Sequence, residues 1–217
     1  MRNLTIWRLL FVLSIISACV LAVSCSSSGS NSGQEWVPLP MQTAEGGQVL
    51  QWKEPPQMMI DTDKQYRAIM ETEHGTMVLD LFAKDVPKTV NNFVFLATHG
   101  YYDNTTFHRV LANFMAQGGD PTGTGSGGPG YTFANEITSH KHVAGALSMA
   151  HSVLPNSNGS QFFICFTDQP TLDGQYSVFG QLAEGMDVLK SIRLRDPSTN
   201  PSYPGDKLIS VRIEVKG

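Results

Sequence analysis

Three short stretches of this 217-residue chain carry residue types and spacings that could do chemistry. Residues 125–130 satisfy the pattern G-x-G-x-x-G, but Pro129 interrupts it and no helix is expected to begin there, which disfavours nucleotide binding. His140 and His142 are spaced like a pair of metal ligands, yet no convincing third ligand accompanies them, so both are predicted to be solvent-exposed loop residues. Ser160 has no His and Asp partners placed to form a triad, which disfavours a hydrolase.

The strands that must position such residues are predicted from hydrophobic periodicity. Residues 66–73 and 76–82 are expected to form two strands joined by a tight turn at residues 74–75, because their apolar side chains recur at every second position. The C-terminal strand alternates apolar with polar residues in the same way. Its buried face is predicted to hold Ile209, Val211, Ile213 and Val215.

Two helices are predicted between those strands. Pro87 can lie in the first turn of a helix that ends at Gly100, and a second helix is expected over residues 185–192. The apolar stripe of the first helix consists of Val90, Phe93, Val94 and Ala97. Short strands, frequent glycine turns and only two helices favour a mainly β fold, either an antiparallel barrel or a sandwich.

Five sequence blocks in a fixed order are more specific than any of these single patterns. They are FHRVLANFMAQGGD at 107–120, GALSMA at 145–150, NGSQFFI at 158–164, LDG at 172–174 and VFG at 178–180. Together they closely resemble the cyclophilin family of peptidyl-prolyl cis/trans isomerases, and the resemblance covers roughly residues 66–216. It implies a closed eight-stranded antiparallel β-barrel capped by two α-helices.

The chemistry implied by this resemblance needs neither a nucleophile nor a metal. Rotation of an X–Pro bond meets a barrier of about 18–20 kcal/mol, because amide resonance gives the C–N bond partial double-bond character. A donor fixed near the prolyl nitrogen favours the twisted state, where that nitrogen regains a lone pair. Arg109 matches the catalytic arginine of the family, and its permanently charged guanidinium is a suitable donor. The resemblance therefore implies catalysis by Arg109 without a cofactor or a metal.

The resemblance also implies a substrate site around that arginine. The residues expected to form its apolar pocket are Phe114, Met115, Phe163 and Leu172. Those expected to hold the substrate backbone, shape the edge of the pocket or line the groove beside it are His108, Gln117, Gly125, Ala150, His151, Gln161 and Tyr176. By strand alternation Phe162 should instead point into the core, since its neighbour Phe163 faces the pocket.

Three positions depart from the pattern that is familiar from eukaryotic members of the family. Thr171 stands where many members have Trp, His151 where Asn is usual, and Tyr176 where His is common. His151 should still offer its backbone amide and carbonyl to a peptide, because these groups do not depend on the side chain. Without an indole at position 171, cyclosporin binding is expected to be weakened more than catalysis.

The N-terminal segment is predicted to direct export. Residues 1–24 combine two arginines with an apolar run that is short for a transmembrane helix, a pattern typical of a secretory signal peptide. The residues leading to Cys25 resemble a bacterial lipobox, so Cys25 is the preferred lipidation site, with Cys19 as the second choice. A plain signal peptide cut near Ser24 is the remaining alternative.

Residues 25–63 are expected to be a linker, and residues 64–217 the isomerase domain. The linker begins as a flexible Ser/Gly tether and continues as a proline-containing stretch, in which long helices and central strands are disfavoured. Its large apolar residues either pack onto the domain or mark a partner site, and packing is the favoured interpretation. They are Trp36, Trp52, Met58 and Met59.

Composition narrows the functional classes further. With 15 Lys and Arg against 19 Asp and Glu, the net charge of −4 argues against a general nucleic-acid binder. Only Cys165 of the three cysteines lies in the predicted domain, so no disulfide framework can form there, and a buried thiol would suit an oxidising compartment.

These features predict a monomeric isomerase outside the cytoplasm, held to a membrane by a lipid, or secreted if it is not lipidated. Its expected partners are proline-containing peptides and unfolded exported proteins, whose folding it would assist by accelerating X–Pro rotation. A proline-peptide-binding chaperone or scaffold with incidental isomerase activity is the alternative function.

Overall fold

The computed structural model describes residues 35–42, 50–154 and 156–217. These residues contain ten strands and two α-helices, connected by turns and loops. The strands are β1 (Val37–Pro38), β2 (Gln65–Thr72), β3 (Gly75–Leu81), β4 (Thr105–Thr106), β5 (Arg109–Leu111), β6 (Met115–Gly118), β7 (Ala146–Met149), β8 (Phe162–Cys165), β9 (Val178–Glu184) and β10 (Lys207–Lys216). The helices are α1 (Pro87–Thr98) and α2 (Met186–Ser191). The predicted signal peptide, Cys19 and Cys25 lie outside the described residues.

All ten strands belong to one antiparallel sheet, in the order β1-β10-β2-β3-β9-β7-β8-β6-β5, with β4 paired to β10 beside this path. The mainly β fold with two helices is confirmed, but the closed eight-stranded barrel is wrong: the described sheet is open and has ten strands. Two of them, β1 and β4, have only two residues each. The sheet stays open because the short strand β5 forms only one isolated bridge on its outer side, between Val110 and Arg195.

The predicted hairpin is formed by β2 and β3, which pair from Tyr66 opposite Leu81 to Thr72 opposite Gly75. Its tight turn depends on Gly75, whose φ of 129° is strained for other residues. The Thr72 hydroxyl also donates a 2.8 Å hydrogen bond to the Gly75 carbonyl. Local turn chemistry and alternation therefore specify this part of the sheet.

Strand β10 buries Val211 and Ile213 as predicted, but Ile209 is 38% exposed. The pairing of β10 with β2 shifts register between Leu208 and Ser210. This bulge inserts one residue into the alternation, so Leu208 is buried where the strict two-residue period would bury Ile209. The prediction for Ile209 is therefore wrong.

Helix α1 begins at Pro87 as predicted, and the chain turns away at Gly100, which has a φ of 69°. Its predicted apolar stripe, formed by Val90, Phe93, Val94 and Ala97, is fully buried. Val86 supplies no capping side chain, so the carboxylate of Glu136 accepts hydrogen bonds from the backbone N–H groups of Lys88 and Thr89 instead. The second predicted helix is also present, as α2.

The core lies between α1 and the sheet and is rich in aromatic rings. The Phe93 ring stacks on Tyr102 with ring centres 5.1 Å apart, and it also contacts Phe162 and Phe179. All four residues are fully buried. The core position of Phe162 confirms the prediction from strand alternation.

The described residues of the proline-containing stretch pack onto this core and belong to the same compact unit. Trp36 lies beneath the guanidinium of Arg67 at 4.4 Å, and the Trp52 ring contacts the Phe95 ring at 5.0 Å. The packing prediction is confirmed for these two tryptophans, whereas Met58 and Met59 stay about half exposed, at 52% and 45%. None of the described helices has the length and apolar character that a membrane span requires.

Candidate active site

Strand register brings together side chains that are distant in sequence. Arg109 of β5 lies opposite Gln117 of β6, and Gln117 lies opposite Phe163 of β8. Phe163 in turn lies opposite Ser148 of β7. Because directly opposed residues of neighbouring strands share one face of a sheet, the predicted catalytic arginine, a predicted polar contact and a predicted pocket residue form one row.

This row forms part of a small cleft with a volume of about 120 Å³. The cleft is lined by Arg109, Phe114, Met115, Gln117, Ala150, His151, Phe163, Leu172 and Tyr176. All nine were predicted as site residues. Five of these residues are apolar and Tyr176 adds an aromatic ring, while Arg109, Gln117 and His151 contribute polar surface, so an apolar ring can bind beside polar groups that fix its orientation.

A chain of polar contacts holds the Arg109 side chain at the cleft. Nη1 of Arg109 donates to Oε1 of Gln117 at 3.4 Å, and Nε2 of Gln117 donates to Oε1 of Gln161 at 2.9 Å. Nε2 of Gln161 donates in turn to the carbonyls of Gly125 and Gly127, at 3.0 and 2.9 Å. Each amide uses both its acceptor and its donor in this chain, which fixes the orientation of both.

A tight turn between β5 and β6 positions Phe114 beside the arginine. Asn113 adopts a left-handed conformation with a φ of 57°, and the Phe114 N–H donates to the Leu111 carbonyl at 3.1 Å. The guanidinium carbon of Arg109 lies 5.6 Å from the centre of the Phe114 ring. At this distance the ring face attracts the cation and limits its movement.

Gln117, Ala150 and His151 also line a second, larger depression of about 520 Å³, here called the groove. Its remaining walls include residues 125–129, here part of the glycine-rich loop (residues 125–130), and residues 159–161. Gly125 and Gln161 lie in this groove rather than in the cleft. An extended peptide bound in the groove could therefore continue into the cleft.

Two of the positions that depart from the family pattern contact each other. The His151 ring stacks on the Tyr176 ring with centres 4.3 Å apart. The two ring nitrogens of His151 lie 2.7 Å from the Ser152 carbonyl and 3.1 Å from the Gln175 carbonyl. The third position, Thr171, is exposed on the 3₁₀ turn next to Leu172.

His108 lies behind the glycine-rich loop and does not line the cleft. It is 1% exposed, and neither ring nitrogen has a hydrogen-bond partner among the described residues. Burial lowers the pKa of His108, and this effect outweighs the opposing influence of the Asp120 carboxylate. A neutral ring in this position can shape the loop but cannot touch a substrate in the cleft.

His142 supports the cleft from behind, and its predicted exposure is wrong. Its side chain is fully buried and stacks on Phe163, with ring centres 5.9 Å apart. Nδ1 lies 3.1 Å from the Asp173 carboxylate, and Nε2 lies 3.1 Å from the Ser148 hydroxyl. Burial lowers the pKa of His142 despite the neighbouring acid. Sequence reasoning missed this role because the residue lies in an irregular segment without periodicity.

One cluster of described residues has the composition of a metal site, Glu73, His74 and Asp206. The buried Asp206 carboxylate already accepts 2.7 Å hydrogen bonds from the Arg193 N–H and from His74, and a 2.5 Å bond from Nε of Arg193. A guanidinium inside the cluster opposes a bound cation. These residues therefore form an ion-pair network.

The described architecture and cleft define a mainly β protein that can bind an apolar ring beside a fixed guanidinium. Residues 67–213 match the family model described as cyclophilin type peptidyl-prolyl cis-trans isomerase/CLD. A peptidyl-prolyl cis-trans isomerase of Synechococcus elongatus is 50% identical over 149 residues, which cover 68% of this chain and 95% of the relative. One from Helicobacter pylori is 49% identical over 133 residues, covering 59% and 81% of the two chains.

A solved structure points the same way. The crystal structure of a Cryptosporidium parvum cyclophilin type peptidyl-prolyl cis-trans isomerase, obtained in the presence of the dipeptide Ala-Pro, superposes with a TM-score of 0.61 and 38% identity. The match covers 67% of this chain and 96% of that one. The chain thus belongs to the cyclophilin family and is a peptidyl-prolyl cis-trans isomerase.

Proposed function

We propose that the cleft receives the proline ring of an X–Pro peptide and that Arg109 is the catalytic residue. The observation that carries this proposal is the placement of one guanidinium in a cleft with the apolar side chains of Phe114, Met115, Phe163 and Leu172, where it donates to Gln117 at 3.4 Å. The Ala-Pro dipeptide used with the Cryptosporidium relative supports a ligand of the same class.

The proposed mechanism is selective binding of the twisted amide. As the C–N bond rotates, resonance is lost and the prolyl nitrogen becomes pyramidal, with a lone pair directed out of the former amide plane. A guanidinium N–H that donates to this lone pair gains the interaction only near the transition state. No bond is broken and no proton is transferred in this step, so the buried His108 and His142 need no acid–base role.

The residues around the arginine have two further functions in this proposal. Phe114, Met115, Phe163 and Leu172 enclose the ring, so that rotation occurs on the other side of the C–N bond. Gln117 and Gln161, with the backbone groups of residues 150–151, hold the peptide chain. Fixing both parts of the substrate lowers the entropic part of the barrier.

We further propose that the isomerase is monomeric and acts outside the cytoplasm on exported or envelope proteins. The sequence supports the location through the charged and apolar character of residues 1–24 and the resemblance to a lipobox of the residues that lead to Cys25. A lipid on Cys25, or on Cys19 as the alternative, would attach the chain to a membrane. Mass spectrometry of the intact protein extracted from membranes tests cleavage and lipidation together.

A protease-coupled assay on a short X–Pro peptide tests the catalytic proposal. Arg109→Ala is expected to lower kcat/KM roughly 10²- to 10³-fold, as expected for loss of one transition-state donor, with an unchanged circular dichroism spectrum. Arg109→Lys keeps the charge without the planar fork and should retain partial activity. Peptide binding with little turnover in the wild type would favour the chaperone alternative, and full turnover by Arg109→Ala would contradict the catalytic role.

A further inference from the structure

Residues 50–60, here called the strap, precede the part of the chain that matches the family model. The strap contains Pro55 and Pro56 and forms neither helix nor strand. Its Trp52 ring packs edge-on against Phe95 at 5.0 Å and against His99 at 5.7 Å. Ile60 at its end is buried in the main core. The strap is therefore packed onto the isomerase domain by apolar contacts at both ends.

A buried side chain of α1 is committed to this strap. Asn91 is 2% exposed, and its Oδ1 accepts hydrogen bonds from the N–H groups of Met59 at 2.7 Å and Ile60 at 3.3 Å. Its Nδ2 donates to the carbonyls of Gln57 at 3.0 Å and Pro56 at 3.5 Å. The full hydrogen-bonding capacity of this amide is thus satisfied by the strap, and displacing the strap would break all four of these hydrogen bonds.

The strap also contacts the wall of the groove. The backbone N–H of Trp52 donates a 2.8 Å hydrogen bond to the carbonyl of Pro129 in the glycine-rich loop. At Gly130, with a φ of 92°, an added Cβ would lie only 2.5 Å from the Trp52 carbonyl oxygen. Only glycine permits this close approach of the two backbones.

Both ends of the glycine-rich loop are consequently held. At the first end, the buried Asp120 carboxylate accepts hydrogen bonds from the N–H groups of Gly125 at 2.7 Å and Gly127 at 3.0 Å. At the other end the strap holds Pro129. Between these points the loop carbonyls accept the hydrogen bonds of Gln161, which connects through Gln117 to Arg109. The loop is thus the link between the strap and the polar contacts of the cleft.

We propose that the strap is a positioning element of the isomerase, and that Trp52 is its principal positioning residue. By holding the far end of the glycine-rich loop, it keeps the groove in its peptide-binding shape before substrate arrives. The loop then loses its conformational entropy when the protein folds, so this loss does not weaken peptide binding. This inference rests on the proposed use of the cleft and groove, and it adds a role for residues outside the family match.

The test is a kinetic and hydrogen-exchange comparison of full-length variants. Trp52→Ala is expected to raise KM about five-fold while kcat changes less, because loop ordering moves into the binding step. The amides of Gly125 and Gly127 should lose protection from exchange at the same time. Trp52→Phe keeps an aromatic ring against Phe95 and should restore most of both properties.

Trp36→Ala is the matched control, because Trp36 packs on Arg67 and Lys216 at the sheet edge. It removes an indole from the same N-terminal stretch, and it should leave KM and loop exchange unchanged. Gly130→Ala disturbs the same contact from the loop, because the added Cβ would clash with the Trp52 carbonyl oxygen. Trp52→Ala keeps the backbone N–H and weakens the contact by removing the ring that holds the strap on Phe95 and His99. If both variants act through the contact between strap and loop, the double variant Trp52→Ala/Gly130→Ala should have the KM of the more affected single variant.

The positioning role would be overturned if Trp52→Ala kept the KM and the loop protection of the wild type. It would also be overturned if Trp36→Ala raised KM as much as Trp52→Ala does. Loop exchange does not require turnover, so it distinguishes failure of this inference from failure of the proposed function. An inactive wild type would contradict only the proposed function. Unchanged loop protection in Trp52→Ala would contradict only the positioning role of the strap.

Discussion

At the scale of single residues, the departures from the family pattern lie around the apolar part of the cleft. Tyr176 contacts both His151 and Phe163, with ring centres 4.3 and 5.8 Å apart. The wall therefore keeps an aromatic surface although two of its residue types differ from the familiar ones. The residues that contact the Arg109 guanidinium, Gln117 and Phe114, match the family. Variation thus affects the shape of the cleft more than the position of the donor.

Thr171 provides a test of ligand affinity at this scale. It is exposed beside Leu172, where an indole would add apolar area and an N–H donor. We expect cyclosporin to bind the wild type with a Kd above the nanomolar range and Thr171→Trp to tighten binding about ten-fold. Isothermal titration measures both values, and turnover should change by a smaller factor. Nanomolar binding by the wild type would contradict the prediction.

At the scale of elements, Asp206 joins three segments of the chain. Its carboxylate bonds His74 in the β2–β3 turn and Arg193 after α2, and Asp206 itself directly precedes β10. Burial acts to raise the pKa of this carboxyl, but the hydrogen bonds from Arg193 and His74 together hold the pKa below its usual value. The charged form is therefore the one that stabilises the fold.

This lowered pKa predicts a loss of stability in acid. The contribution of Asp206 is complete above the pKa of an unfolded aspartate, about 3.9, and is lost as the pH falls from there toward the lower pKa of the folded state. Asp206→Asn should lower the free energy of unfolding at pH 7 by about 3 kcal/mol and flatten its dependence on pH below about 4. Urea denaturation at several pH values measures both effects.

The exposed Asp63 provides the control for that experiment, since Asp63→Asn removes a carboxylate outside the network. We expect it to leave both the stability at pH 7 and the acid dependence close to wild type. An equal loss in both variants would show that net charge, not the Asp206 network, sets the acid response.

The elements that sequence predicted well are those governed by local rules. Pro87 is suited to the start of α1 because the first turn of a helix leaves its N–H groups without partners, and proline has no N–H. Alternation along β8 separates Phe162 in the core from Phe163 in the cleft. The exposure of Ile209 could not be predicted, because it follows from a bulge in the pairing with β2. The burial of His142 also depends on contacts that are distant in sequence, with Asp173 and Phe163.

At the scale of the whole molecule, Cys165 reports on global unfolding. The thiol is fully buried in β8, and burial raises its pKa to about 12. Since the thiolate is the reactive form, native protein should leave Cys165 unmodified by iodoacetamide at neutral pH, whereas protein in urea should be alkylated fully. Mass spectrometry of the peptide that contains Cys165 distinguishes it from Cys19 and Cys25. Rapid alkylation of native protein would contradict this prediction.

The composition of the site could be predicted from sequence more fully than the open form of the sheet and the docking of the strap. Of the nine predicted residues that line the cleft, Arg109, Met115, Gln117 and Phe163 meet because strand pairing fixes their positions, and the other five lie in the turns and loops next to those strands. The open sheet depends on how few residues β5 offers to its neighbours, which no periodicity reveals. The sequence predicts that Trp52 packs onto the domain, but it does not specify the ring contacts with Phe95 and His99 or the backbone hydrogen bond to Pro129.

The pairing of β1 with β10 has a mechanical consequence. A pull on the chain ahead of residue 35 enters the sheet through Val37 and Pro38, which pair with Val215 and Glu214. β1 and β5 occupy opposite ends of the strand order, so this tension acts first on a two-residue edge and not on the strand that carries Arg109. If the proposed lipid on Cys25 anchors the chain, load on the linker would therefore separate β1 from β10 before it reached the strand that carries the catalytic arginine.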